Sequence, residues 1–301
     1  MHMHTHITDM HQDLGPAVCN NPFPALKRYA RNRHHLFLEA NKAVRKPSLF
    51  GYDDAWGCID FVRQLARGYL WDIGGKVLVL INHVEKKVKY LPYRTRFDLD
   101  YGKRIARKWK KIGFREGIFL TLTLDPKRFS SYYQAYFALL RGWNKISTAI
   151  RRRFPGFQGF ARVVETQESG NPHLHVLVFG VDFIAIEWIR KLWEEKYELG
   201  NQINVKKITN DKGAIRYLLK YLLKSFTGKT VDEMDRAFSQ KALLWAVNSR
   251  GWAVSGNLVC LISNRLIQTK PCSDWVFLGA FPAECAKMSY FEFLVWEGLN
   301  T

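Results

Sequence analysis

Cysteine is scarce in this sequence. Five occur, Cys19, Cys58, Cys260, Cys272 and Cys285, and no two of them form a CxxC pair. An odd count without that spacing argues against a disulfide framework or a structural zinc knuckle and fits a reducing cytosol. Acidic residues are also few. Asp and Glu number 27 against 46 Lys and Arg, a net charge of +19. Solubility alone does not account for such an imbalance, which points to a polyanionic partner, with nucleic acid first and a membrane surface second. Long uncharged runs are missing too, and the ones present are too short and broken to span a bilayer, so no membrane partner is expected. The pattern of a secretory leader is not visible at the N-terminus. No internal repeat or low-complexity tract stands out. "TGKT" (227–230) ends like a phosphate-binding loop, but the full pattern needs Gly at position 223, where the chain has Leu223, so no built-in ATPase is expected.

Apolar residues are plentiful. They make up 47% of the 301 residues and aromatics 14%, enough for a sizeable core and against global disorder. Residues 1–20, opening "MHMHTHITDMHQ", read as a flexible tail whose histidines have no assigned role. Residues 21–114 read as an N-terminal accessory region, 115–228 as the core and 229–301 as a C-terminal accessory region.

In the accessory regions "DAWGCIDFVRQLARGYLW" (54–71) has helical spacing, and "GKVLVLINHVEKKVKYLPYR" (75–94) looks like two strands. "LDYGKRIARKWKKIGF" is a basic amphipathic helix. "DRAFSQKALLWAVNS" looks helical, "WAVSG" and "LVCLIS" look strand-like, and the tail is aromatic. The core is clearer. "GIFLTLTLD" (117–125) is a strand. "SSYYQAYFALLRGWNKISTAIRRRF" (130–154) is a long helix with Ser130 or Ser131 as N-cap. "GFARVVETQ", the turn "ESGNP" and "HLHVLVFG" form a hairpin. "AIEWIRKLWEEKYELG" is a helix closed by Gly200, "INVKKIT" a strand and "GAIRYLLKYLLKSF" a helix. The order β-α-β-β-α-β predicts an α+β, ferredoxin-like fold, an antiparallel sheet with helices on one face and the other face open.

Chemistry concentrates in two places. His173 and His175 are one residue apart on a strand and therefore share a face. If the hairpin register centres near Ser169 or Gly170, Glu165 lies across from one of them on that face. With an odd register Glu165 turns away and Glu168 reaches in instead. Two imidazoles and a carboxylate would leave open positions on a divalent ion, as a catalytic metal requires. The second place is "YLLKYLLK" (217–224). Tyr217 and Tyr221 share one helix face and Lys220 and Lys224 an adjacent one, while the leucines face the sheet. The tyrosines are either amphipathic core residues with wet tips or nucleophiles. A phenol, with a pKa of ~10, needs nearby ammonium groups to react at neutral pH.

Taken together, "FLTLT" (119–123), "HLHVLVFG" and "YLLKYLLK" resemble, in order and on the right elements, the three motifs of the HUH endonucleases. The two-tyrosine rolling-circle replication initiators (Rep proteins) of plasmids and viruses are the most similar type. The resemblance covers roughly residues 115–226. It implies that His173, His175 and Glu165 hold Mn²⁺ or Mg²⁺ on a scissile phosphate of single-stranded origin DNA. Tyr217 or Tyr221 would then attack to leave a 5′-phosphotyrosine and a 3′-OH. Lys220 and Lys224 would orient the phosphate or lower a tyrosine pKa, and Thr121 and Thr123 would support the site. A separate helicase, a host DNA polymerase and the cytoplasm of a host cell follow from the same resemblance. The expected DNA contacts are Lys103, Arg104, Arg107, Lys108, Lys110 and Lys111 on the basic helix, with Arg151, Arg152 and Arg153. The alternatives are a transposase or relaxase with the same chemistry, or a non-catalytic nucleic-acid-binding module. The last shares the strand order, but "FLTLTLD" lacks its aromatic pattern.

Overall fold

The computed structural model describes residues 34–46, 52–113, 116–209, 214–262 and 274–298. The expected N-terminal tail, Cys19 and Cys272 lie outside them. The chain divides into two compact units. One takes residues 33–71 and 94–266; the other takes 1–32, 72–93 and 267–301. Neither is continuous in sequence.

The larger unit is built on a five-stranded antiparallel sheet. Its strands are β3 (Gly117–Thr123), β4 (Gly159–Thr166), β5 (Pro172–Phe179), β6 (Ile203–Ile208) and β7 (Trp252–Val254), in the order β6-β3-β5-β4-β7. The first four are the expected β-α-β-β-α-β strands. The long helix α4 (Tyr132–Arg153) joins β3 to β4, and α5 (Ile186–Arg190) joins β5 to β6, running on as a π-helix over Lys191–Lys196. Ser131 caps α4 by accepting from the Gln134 N–H. One sheet face carries Leu120, Leu122, Val164, Leu174, Val176 and Val178, all buried. The α4 helix packs on this face. Tyr136 hydrogen-bonds Thr166 at 2.6 Å, and Trp143 meets Phe160 edge-on.

The other face carries the histidines and is not bare. Helix α6 (Ala214–Phe226) lies over it, because Leu218 and Leu222 bury on the same side that brings Tyr217 and Tyr221 down to the strands. Two more helices flank α6. They are α3 (Tyr101–Trp109), whose Tyr101 ring meets Phe226, and α7 (Val231–Ala246), closed at its start by a Thr230–Glu233 capping box. From α7 the buried Gln240 reaches the β4 edge, accepting from Thr166 N–H and donating to the Val164 carbonyl, both at 2.9 Å. It completes the strand where β7 stops short. Helix α1 (His35–Arg45) rises from a stretch with no clear period in the sequence. Phe37, Ala40 and Val44 bury one narrow stripe of it. The α2 helix is Tyr52–Ile73. "LVCLIS", which looks strand-like, is instead a short helix, α8 (Leu258–Ile262). A five-residue apolar run has too little length to betray its period, and the Val259 N–H to Gly256 carbonyl bond starts a turn there.

The smaller unit is a three-stranded antiparallel sheet, β2 (Lys87–Pro92), β1 (Lys76–Asn82) and β8 (Trp275–Pro282), in that order. Helix α9 (Tyr290–Glu297) covers one side. Val79, Ile81, Leu278, Phe281 and Phe293 form its core. Among the described residues, no helix is long and apolar enough to cross a membrane.

Candidate active site

The β4–β5 register places Glu165 directly opposite His173. Directly paired residues share a face, so Glu165 joins both histidines, and the open choice with Glu168 is decided. The hairpin reaches this register because Gly170, at φ +83°, takes a left-handed turn against the Tyr132 ring, whose hydroxyl donates to the Ser169 carbonyl. Glu168 lies outside the site and pairs with Arg236 at 3.2 Å.

On the other side β5 pairs with β3, setting Thr121 opposite His175 and Thr123 opposite His173. Each threonine hydroxyl bonds the Nδ1 of its partner, at 3.2 and 3.3 Å. Both rings are thereby fixed through Nδ1, which leaves each Nε2 for the site. His175 Nε2 is 2.6 Å from Glu165 Oε2, and Lys224 Nζ donates to Oε1 at 2.6 Å. A carboxylate only accepts, so His175 carries its proton on Nε2 here and Thr121 donates to Nδ1. Burial would raise the Glu165 pKa, but the hydrogen bonds from His175 and Lys224 outweigh it and hold the carboxyl at about 2. His173 is pushed down to about 4, mainly by burial and then by the neighbouring His175. Its Nε2 is buried with no hydrogen-bond partner.

That orphaned nitrogen is what an ion would complete. With both Nδ1 atoms on threonine hydroxyls, which can donate or accept, the rings have the outer-shell support of metal-ligating imidazoles. Among the described residues, however, no group of three or more His, Cys, Asp or Glu stands in a metal-holding arrangement. The cause is local. Both Glu165 oxygens are engaged, one by His175 and one by Lys224.

The tyrosines close the site from above. Tyr221 stacks on His175 with centroids 3.9 Å apart and on Phe119 at 5.5 Å. Tyr217 meets Phe119 edge-on at 4.8 Å, and the Tyr221 hydroxyl donates to the Tyr217 hydroxyl at 3.5 Å. Lys220 Nζ stands 3.9 Å from the Tyr217 ring centroid and 4.8 Å from that of Tyr221. The phenols therefore differ. Tyr217 is lowered from its ordinary value by the Tyr221 hydrogen bond and by Lys220 and Lys206, while Tyr221 is raised by burial and by donating to Tyr217. Lys224, expected to serve the tyrosines or the phosphate, sits on Glu165 instead.

Two contributors escape the sequence motifs. Phe119 lies under both tyrosines and is 3% exposed. Lys206, paired with Phe119 across β3 and β6, places its Nζ 5.9 Å from the Tyr217 ring. Strand alternation in "FLTLT" and "INVKK" already puts each on the right face. Their convergence depends on register.

The expected DNA contacts are dispersed. Lys103, Arg107, Lys108, Lys110 and Lys111 are exposed along and just past α3, which packs against α6. Arg104 is turned inward, bonded to Asp98 and to the Thr95 carbonyl. Arg151, Arg152 and Arg153 are exposed at the far end of α4, behind the sheet, and are not brought to the histidines.

Residues 117–226 match the family model for the replication-associated protein ORF2. The match begins on the first residue of β3 and ends on the last of α6, so it contains every histidine, tyrosine, lysine and carboxylate of the site. The chain is also 28% identical, over 285 residues and 74% of its length, to "Uncharacterized protein 1" of Halorubrum pleomorphic virus 1. It spans 56% of that relative's length. No solved structure matches. Through these likenesses the chain resembles replication-associated proteins, and a viral protein is among its relatives.

Proposed function

We propose that this protein initiates replication by nicking and rejoining one strand of DNA at an origin, as a rolling-circle initiator of the HUH type. The observation that carries this is the meeting of Tyr217, Tyr221 and Lys220 with the Glu165–His175 pair on one sheet face, inside the segment that matches the replication-associated family model.

Tyr217 makes the first cut. Its hydroxyl is the more acidic of the two and gives up its proton to solvent, and Lys220 and Lys206 stabilise the phenolate. The phenolate oxygen attacks phosphorus, the bond to the 3′ oxygen breaks, and that oxygen takes a proton from water. The 5′ phosphate is left esterified to Tyr217 and the 3′-OH is free to prime a polymerase. Once Tyr217 is esterified, Tyr221 has lost its phenolate-like acceptor and is the remaining phenol for a second cut and the rejoining of the strand. Ester exchange conserves bond energy, so no nucleotide is consumed.

His173, His175 and Glu165 would hold Mg²⁺ or Mn²⁺, with Glu165 exchanging its bond to His175 for the ion. When bound, the ion supplies Lewis-acid polarisation of the scissile phosphate. Lys224, now on Glu165, keeps that carboxylate ionised and aimed at the histidines. A separate helicase and a host polymerase complete the proposal. A non-catalytic sheet would instead need an open aromatic platform, and Phe119 is buried beneath the tyrosines.

The test is covalent capture of labelled single-stranded DNA with Mg²⁺ or Mn²⁺, the adduct mapped by peptide mass. An adduct on Tyr217 is expected; one on neither tyrosine overturns the proposal.

A further inference from the structure

We propose that the larger unit carries a second single-stranded DNA-binding site on the face of the sheet away from the tyrosines, centred on Trp188. It goes beyond nicking and shares no residue with the nicking cleft.

A cavity of about 470 Å³ is lined there by Trp188, Lys191, Leu192, Glu195 and Lys196. The guanidinium of Arg153 stands 5.2 Å from the Trp188 ring centroid, and Phe154 meets the same ring edge-on. Farther along, Lys145 Nζ lies 4.6 Å over the ring of Tyr197. Cations and aromatic faces therefore alternate along the seam of α4 and α5. Charge complementarity selects the occupant. Helix α4 carries Arg141, Lys145, Arg151, Arg152 and Arg153 and no acidic residue. Single-stranded nucleic acid is held by this combination, a basic track for phosphates and rings on which bases stack without regard to sequence. Glu195, the acid of the lining, would accept from a base amine rather than face a phosphate. The cavity wall is the π-helical turn Lys191–Lys196, a distortion of the kind that recurs at functional sites. The 22-residue α4 is about 33 Å long. Its first turns approach the 165–173 hairpin turn and its last carries the arginines, so the Arg151–Arg153 run has its purpose here rather than at the cleft.

The test is the number of labelled oligothymidylates of about 8 nucleotides, roughly one single-strand site, taken up by the full chain. The background is the Tyr217→Phe, Tyr221→Phe double variant, so that no adduct forms. Two per chain are expected, falling to one on Trp188→Ala. Lys191→Ala with Lys196→Ala, both exposed and harmless to folding, should lower the log–log salt slope for a longer strand by about 1.4, at ~0.7 per lost phosphate contact. One oligonucleotide in the parent that Trp188→Ala abolishes would keep this site and refute the cleft. Uptake and salt slope unchanged in both variants would refute the site.

Discussion

Tyr217 and Tyr221 share a helix face but not an environment. Tyr221 is wedged against His175 and donates its proton to Tyr217, while Tyr217 receives that bond beside Lys220. Tyr217→Phe is therefore expected to slow first-strand cleavage more than Tyr221→Phe, with the double variant inactive, measured as initial rate on a single-stranded origin oligonucleotide. Phenylalanine keeps both rings, so melting temperatures should change little. The histidine below gives a pH signature. Folded His173 titrates near 4, against an ordinary 6.5. Between those values the unfolded chain binds more protons, so stability falls as pH drops from about 6.5 to 4. Glu165, held near 2 against 4.5, adds stability above pH 4.5 that is lost as pH falls toward 2. Melting of the metal-free protein at pH 7.5 and 5, compared with His173→Gln, reads the first window. The wild type should lose more; equal losses would remove His173 as the cause.

At the scale of elements, the hairpin β4–β5 sets the site and α7 secures its edge. Gln240 serves two backbone groups of β4 at once, and replacing it by Leu strands both in a buried place. At roughly 1–3 kcal/mol for each unsatisfied group, Gln240→Leu should cost about 2–5 kcal/mol in denaturant unfolding. A loss under about 1 kcal/mol would mean that water or β7 takes over those bonds. The strands and long helices of the core are legible from period alone, because "HLHVLVFG" and "YLLKYLLK" each show their buried side directly. Helix α1 and the smaller unit's β8 and α9 are not. Their apolar residues pack against partners distant in sequence, and no local pattern reports that.

At the scale of the molecule, the +19 charge is spread over exposed helices rather than gathered at the cleft. Binding to single-stranded DNA should weaken steeply with salt, with a log–log slope near −0.7 for each phosphate neutralised. A flat response between about 50 and 200 mM salt would show that the charge has another purpose. The two units interleave in sequence, residues 72–93 and 267–301 leaving the larger one to build the smaller. Linear segmentation into accessory, core and accessory regions does not describe such crossings, because they are fixed by long-range strand pairing such as β1 with β8.

By itself the sequence determined which side chains share a face. A strand alternates every residue and a helix returns every three or four, so the histidine pair and the tyrosine pair are consequences of local backbone geometry. Only the tertiary structure decided what those faces meet. Glu165 rather than Glu168 joins the histidines because of a hairpin register. Phe119 and Lys206 join Tyr217 because β3 pairs with β6. Lys224 goes to a carboxylate and Arg153 to a tryptophan behind the sheet. Register and packing are settled by the cooperative burial of whole faces, and a shift of one residue would turn every side chain away from its partner.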